Sequence, residues 1–193
     1  MARIVRIFSW GLLISFLGSL PLGTLNVAAM QISIQESIAD AMFFSFGSLL
    51  VEMVYVRISL VGIDWVRKQK TVMRAMEWIT LIIILSLAAG SFWAAMKAGG
   101  AKNIILHNNM HRFLLGMFMS AINPVQIPFW FGWSSVLFAK KILEPVPSQY
   151  NAYIIGIGTG TLMGNAIFIF GGRWLVGTMA DSGRYINWVI GGI

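Results

Sequence analysis

The sequence predicts an all-α fold, a polytopic bundle of membrane-spanning helices, and three observations carry that prediction. Several apolar stretches of roughly 20 residues can each cross a hydrocarbon core about 30 Å thick as a helix. Charged residues make up 11% of the chain and hydrophobic ones 58%, with a mean hydropathy of +0.77, whereas a soluble domain is about 25% charged. Two helix-breaking polar signals, Pro21-Leu22-Gly23-Thr24-Leu25-Asn26 and Asn123-Pro124-Val125-Gln126-Ile127-Pro128, lie inside stretches of membrane length. Backbone interrupted at bilayer depth has to line a cavity or be buried in protein. The alternating strands of a membrane barrel are absent.

Taken in order, segment one covers about residues 7–30. Arg3 and Arg6 ahead of the apolar run from Ile7 to Leu20 imitate a secretory signal, but no small-x-small cleavage site ends that run. Val27-Ala28-Ala29-Met30 continues it past the break, so it reads as a retained first helix. The loop 31–40 carries Glu36 and Asp40 and no Lys or Arg. Segment two, about 41–62, is apolar except for Ser45, Ser48, Glu52, Arg57 and Ser59, and a basic loop with Arg67, Lys68, Lys70 and Arg74 follows it. Segment three, about 76–96, opens with Glu77 and Trp78 and ends near Trp93, positions that suit the headgroup interface.

A polar connection, 97–112, holds His107 and His111. Segment four, about 113–139, contains the second broken motif and stops at Lys140-Lys141, after which Glu144-Pro145-Val146-Pro147 forms a rigid turn. Segment five, about 152–171, carries Gly156, Gly158, Gly160 and Gly164, small residues that let helix backbones approach closely. A sixth segment starts near Tyr185, and the nine residues from there cannot cross a bilayer at 1.5 Å per residue, so the sequence is expected to stop inside a sixth helix.

The net charge of +7 would raise the question of nucleic acid in a soluble protein. Here the cations sit in the loops between apolar segments, the bias of an integral membrane protein, and nucleic acid is not expected. Arg3, Arg6 and the basic residues of the second and fourth loops outnumber those of the first, third and fifth, which points to a cytoplasmic N-terminus. Absence of cysteine excludes disulfide frameworks and thiolate metal sites.

Glu52 is the most informative single residue. It lies near the middle of segment two, where an ionised carboxylate costs about 2.5–3.5 kcal/mol even on the lenient insertion scale. It should therefore be protonated, paired or facing a wet cavity, which makes it a candidate proton carrier; the plainer reading is a neutral carboxyl bonded to a neighbouring helix. Arg57, five residues on, is rotated about 140° from Glu52, a poor same-helix pair. It is read either as a residue snorkelling to the headgroups or as a clamp for a substrate carboxylate.

Pro21 and Pro124 remove N–H donors and disturb the preceding turns, so freed carbonyls are expected to take a cation and half-helix N-termini a carboxylate. Asn26, Asn123, Gln126 and Asn165 could add orienting hydrogen bonds. Alternatively the breaks are kinks healed by neighbouring side chains, with asparagines bonding between helices. The two histidines, without a third ligand nearby, read as solvated or interfacial, and no metal site is expected. The methionines and the Phe129-Trp130-Phe131 cluster read as packing and interface residues.

These residues resemble the lysine exporter family of amino-acid efflux proteins, the LysE-type translocators. The resemblance rests on Pro21-x-Gly23-x-x-Asn26 ending the first helix, Gly47 followed by Glu52 in the second, and Ser120-Ala121-Ile122-Asn123-Pro124 in the fourth. It implies six helices, arranged as two inverted three-helix repeats with broken helices one and four. Together they form a single transmembrane domain over 1–193, the repeats covering about 1–97 and 112–193. The chain departs from the family in its acidic first loop, in Glu52 where the family carries Asp, and in Asn165 where many members carry a second acid in the fifth helix.

The resemblance implies secondary active export of an amino acid or similar small zwitterion, coupled to a proton or another ion, from the plasma or inner membrane. Glu52 would be the coupling acid, and the breaks marked by Pro21, Gly23, Pro124 and Pro128 would form the site with Asn26, Asn123, Gln126 and Asn165. A divalent-metal exporter and a non-transporting membrane scaffold are the alternatives, the first disfavoured by the single mid-segment acid. No cofactor is expected, enzymatic activity is not expected in the absence of a nucleophile–base pair, and a homo-oligomer stays open.

Overall fold

Capping residues and a proline set three of the helix starts. A computed structural model describes residues 2–20, 23–68, 78, 82, 85 and 110–178. The helices are α1 (Ala2–Ser19), α2 (Thr24–Gln35), α3 (Ile38–Lys68), α4 (Arg112–Ala121), α5 (Gln126–Ala139) and α6 (Pro147–Thr178). Trp78, Ile82 and Leu85, spaced along one helical face, are also helical and exposed. The remainder of segment three, and segment six, lie outside the described residues.

Segment one is broken as expected, but its second half runs on to Gln35, so most of the expected loop 31–40 is helix. Buried Ser33 explains the extension: its hydroxyl bonds the Met30 and Ile169 carbonyls, so a polar residue continues the helix against α6. α3 begins at Ile38 because Ser37 caps it, its hydroxyl accepting from the Asp40 N–H at 3.1 Å and donating to the Asp40 carboxylate at 2.5 Å. α6 starts on Pro147, whose missing N–H is unneeded in a first turn. The apolar parts of α1, α3 and α6 are each long enough to cross a membrane, and α4 with α5, bent by 66°, are together long and apolar enough for a fourth crossing if the broken pair forms one span.

Two helix pairs pack backbone against backbone. A side chain on Gly11 of α1 would collide with the Tyr153 carbonyl of α6, and one on Gly156 of α6 with the Phe8 carbonyl of α1. In the second pair, a side chain on Gly116 of α4 would meet the Phe44 carbonyl of α3, and one on Gly47 of α3 the Phe113 carbonyl of α4. These are equivalent contacts. Phe8 and Phe113, like Gly11 and Gly116, lie 105 residues apart, and Phe44 and Tyr153, like Gly47 and Gly156, lie 109 apart.

Within each pair, contacts advance together along both helices, so the partners run parallel. Between α3 and α6 the order reverses, with Arg57 meeting Asn151 and Glu52 meeting Thr161, so these helices are antiparallel. The described parts of the two halves are therefore inverted copies, each a broken helix pair followed by one long helix. Leu49 against Gly158, and Glu52 against Thr161, are pairs of mutually equivalent residues in contact. Only residues beside the two-fold relating the halves can meet their own equivalents, so the α3–α6 crossing lies on that axis.

Ion pairs close both ends of the bundle. Arg3 meets Glu144 at 2.7 Å at the end carrying the N-terminus, and Arg112 holds Glu36 bidentately at the other, with Nε donating to Oε2 at 2.7 Å.

Because the obstacle at Gly47 is backbone, Gly47→Val must push α3 from α4. The expected cost is about 1–3 kcal/mol or more, read as a lowered thermal transition in detergent. Gly132→Ala, where an added Cβ meets nothing within 4 Å, should leave that transition unchanged or slightly raised.

Candidate functional site

Following each track through the bundle, the order is apolar, polar, apolar. One buried apolar cluster holds Ile14, Val56, Trp130 and Ile157, and another holds Ala28, Phe44, Leu115 and Ile169. Between them lie buried Ser15 and Asn26 on the α1–α2 track, Ser45 and Ser48 with Glu52 on α3, Ser120 and Gln126 across the α4–α5 break, and Thr161 and Asn165 on α6. A polar layer thus crosses the middle of the bundle at the level of both breaks.

Glu52 is half-buried in this layer. Thr161 Oγ1 donates to Glu52 Oε2 at 2.8 Å, and the Ser15 and Thr161 hydroxyl oxygens are 2.5 Å apart. A threonine hydroxyl has one proton, so while Thr161 gives it to Glu52, Ser15 must be the donor to Thr161. Behind Ser15, the Ser19 hydroxyl donates to the Ser15 carbonyl at 2.7 Å, and Asn26 Nδ2 donates across the break to the Ser19 carbonyl at 2.5 Å. Hydrogen bonds made by Thr161 and by the side chains and carbonyls of Ser15 and Ser19 therefore tie α3, α6, α1 and α2 together.

A second polar group ties the other break. Gln126 Nε2 donates to Ser120 Oγ at 2.8 Å, and Ser120 Oγ donates to the Ser48 carbonyl at 3.0 Å. Gln126 Oε1 and Ser45 Oγ are enclosed and have no hydrogen-bond partner among the described residues. Asn123 Oδ1 accepts from the Val125 N–H at 3.2 Å, a local turn that helps reverse the chain before α5.

The breaks differ from expectation in two respects. The carbonyl that ends each first half-helix is not left free: Asn26 takes that of Ser19, and Tyr55 donates to that of Ala121 at 2.7 Å. Pro128 does not break a helix; it occupies the first turn of α5, where a missing N–H breaks no intrahelical bond. Pro124 sits in the turn, Gly23 is the extended residue preceding α2, and Pro21 lies outside the described residues. α2 and α5 begin without a side-chain cap, whereas α3 and α4 start under Ser37 and His111.

Arg57 is on the exposed side of α3, where Nη1 donates to Asn151 Oδ1 at 3.2 Å and the guanidinium lies 5.6 Å from the Tyr150 ring centroid. Both partners belong to the first turns of α6, away from Glu52. His111 accepts from the Phe113 N–H and rests against Phe43, while His107 lies outside the described residues. Among the described residues there is no group of three or more His, Cys, Asp or Glu able to hold a metal.

Thr161, Ser15 and Tyr55 escaped the sequence reading. Ser15 follows Gly11 and precedes Ser19 at four-residue intervals, and Thr161 adjoins Gly160 in a glycine series of the same period. Hydroxyls placed at a small-residue helix interface were the available signal.

A family model described as LysE type translocator matches residues 5–193, nearly the whole chain. No curated protein and no solved structure matches it. The broken helices, the inverted halves and the mid-bundle polar layer agree with that match, and the chain belongs to the LysE-type translocator family, as an integral membrane protein.

Proposed function

We propose that this protein is a secondary active exporter of amino acids or related small zwitterionic solutes in the plasma or inner membrane, with Glu52 as the acid coupling export to a proton or other ion. The two repeats would span about 1–97 and 112–193. The observation that carries the reading is the hydrogen-bonded path from Glu52 through Thr161 to Ser15 at the crossing of the inverted halves.

Proton arithmetic gives that path a switch. With Glu52 ionised, the hydroxyl protons point toward it, from Ser15 to Thr161 and from Thr161 to the carboxylate. A protonated Glu52 becomes a donor, so Thr161 can accept from it and pass its own proton to Ser15. One added proton thus reverses the polarity of contacts joining α3, α6 and α1, the helices on which the two halves meet. A bias between two packings of the halves is what alternating access requires.

The substrate would lie between the breaks. The uncapped N-terminus of α2 would offer N–H groups to a carboxylate, and the unpartnered Gln126 Oε1 would offer an acceptor to an ammonium. Asn123 and Asn165 would border that space, and Asn26 would hold the first break in shape. Arg57 is assigned to the bundle end and not to the substrate carboxylate.

In proteoliposomes with an imposed pH gradient, counterflow of a labelled amino-acid panel should reveal proton-driven movement of one substrate class, and Glu52→Gln should abolish the coupling while the protein stays folded. No transport above empty liposomes for the folded wild type would sink the reading. Thr161→Val should lower gradient-driven flux by about tenfold or more, because a charge-assisted hydrogen bond is worth about 1.5–3 kcal/mol. Thr161→Ser, which keeps the hydroxyl, should restore most of that flux.

A further inference from the structure

A cavity of about 550 Å³ opens at the N-terminal end of α1, separate from the polar layer. Its walls carry Arg3 and Arg6 from the first turns of α1 and Lys140 and Lys141 from the end of α5, over an apolar floor of Ile7 and Ile142. Glu144 is the one carboxylate in the lining. It is paired with Arg3 at 2.7 Å, and that hydrogen bond holds its carboxyl below the ordinary value, so at neutral pH four cations face one anion. α1 adds to the imbalance, because its first turn carries no acidic residue to offset the positive end of the helix dipole.

The backbone is shaped to present these lysines. Lys141 adopts a positive φ of 54°, a conformation that glycine takes readily and lysine at a cost. The turn is held by Lys141 N–H to the Phe138 carbonyl and Ile142 N–H to the Leu137 carbonyl, both at 3.0 Å, and it folds Leu143 into the core. The cationic side chains remain exposed, facing the start of α1.

We propose that this cavity binds the phosphate headgroup of an anionic glycerophospholipid. A lipid fits better than a free phosphate because an exposed apolar face begins in the same turns of α1 that line the cavity. Val5, Leu13 and Leu17, spaced for one face of α1, are 62%, 48% and 59% exposed and lead from the cavity toward the bilayer interior. A phosphate seated among the four cations would lay its acyl chains along that face. With the cytoplasmic N-terminus to which the loop charges point, the cavity would face the leaflet in which anionic lipids are found.

The test is lipid titration of the full-length protein in detergent, with bound lipid counted by native mass spectrometry for dioleoyl phosphatidylglycerol, dioleoyl phosphatidylcholine and inorganic phosphate. The wild type should prefer phosphatidylglycerol to phosphatidylcholine. Lys140→Gln with Lys141→Gln should weaken that preference by on the order of fivefold per lysine at unchanged thermal transition. Glu144→Gln, which removes the competing anion, should strengthen it, an outcome that misfolding cannot produce. Equal binding of the two lipids, or a preference untouched by the lysine substitutions, overturns the site. Displacement of phosphatidylglycerol by millimolar inorganic phosphate, with phosphate retained, overturns the lipid assignment in favour of a free anion.

Discussion

In a bilayer, apolar side chains gain little by leaving lipid for one another, so close packing of helices depends on how near their backbones can come. Here that constraint is met at two crossings, α1 on α6 and α3 on α4, where glycines admit a neighbouring carbonyl into the space a side chain would take. The rest of the described architecture follows from those crossings. They bring α1 close enough to α6 for the Ser15 and Thr161 hydroxyls to meet, and α4 close enough to α3 for Ser120 to reach the Ser48 carbonyl. A polar layer in the middle of a membrane bundle is tolerable only if such short-range partners exist, because an unpartnered group there has no water to fall back on.

The same accounting explains the breaks. A helix interrupted at this depth leaves carbonyls and N–H groups without intrahelical partners. The described chain takes up the last carbonyl of each first half-helix with its own groups, Asn26 at the first break and Tyr55 at the second, and at the second break Asn123 also takes the Val125 and Gln126 N–H groups. A divalent-metal exporter would want several oxygen acceptors free to converge; here the last carbonyl at each break is already taken.

Much of this was legible in the sequence, for identifiable reasons. Apolar length marks segments, so four tracks were placed, and proline with glycine in an apolar run marks breaks, so both breaks were placed. Helix ends were less legible. Ser37-Ile38-Ala39-Asp40 is a readable cap, but the run 31–36 looks like loop by polarity alone, and only its packing on α6 makes it helix. Glu36, which made the first loop seem anomalously acidic, has its partner at Arg112, 76 residues along the chain. Pro128 carried the breaker signal of any proline, yet its effect depends on its position relative to the helix start, which spacing from Pro124 does not reveal. Thr161 was hidden because a single threonine among glycines is unremarkable until the opposing helix is known.

The internal two-fold also refines which residues count as counterparts. The resemblance marks Asn165 as the fifth-helix position of a second acid, which is not the position equivalent to Glu52. The backbone contacts make residues 109 apart equivalent, which matches Glu52 with Thr161 and Asn165 with Val56. Acid and hydroxyl are thus the same position in two copies, meeting beside the axis and bonded to each other. Two carboxylates at those positions would repel at hydrogen-bond distance unless they shared a proton. An acid facing a hydroxyl keeps the contact in both protonation states and changes only which group donates. The departure from symmetry therefore falls at a hydrogen bond that both halves share.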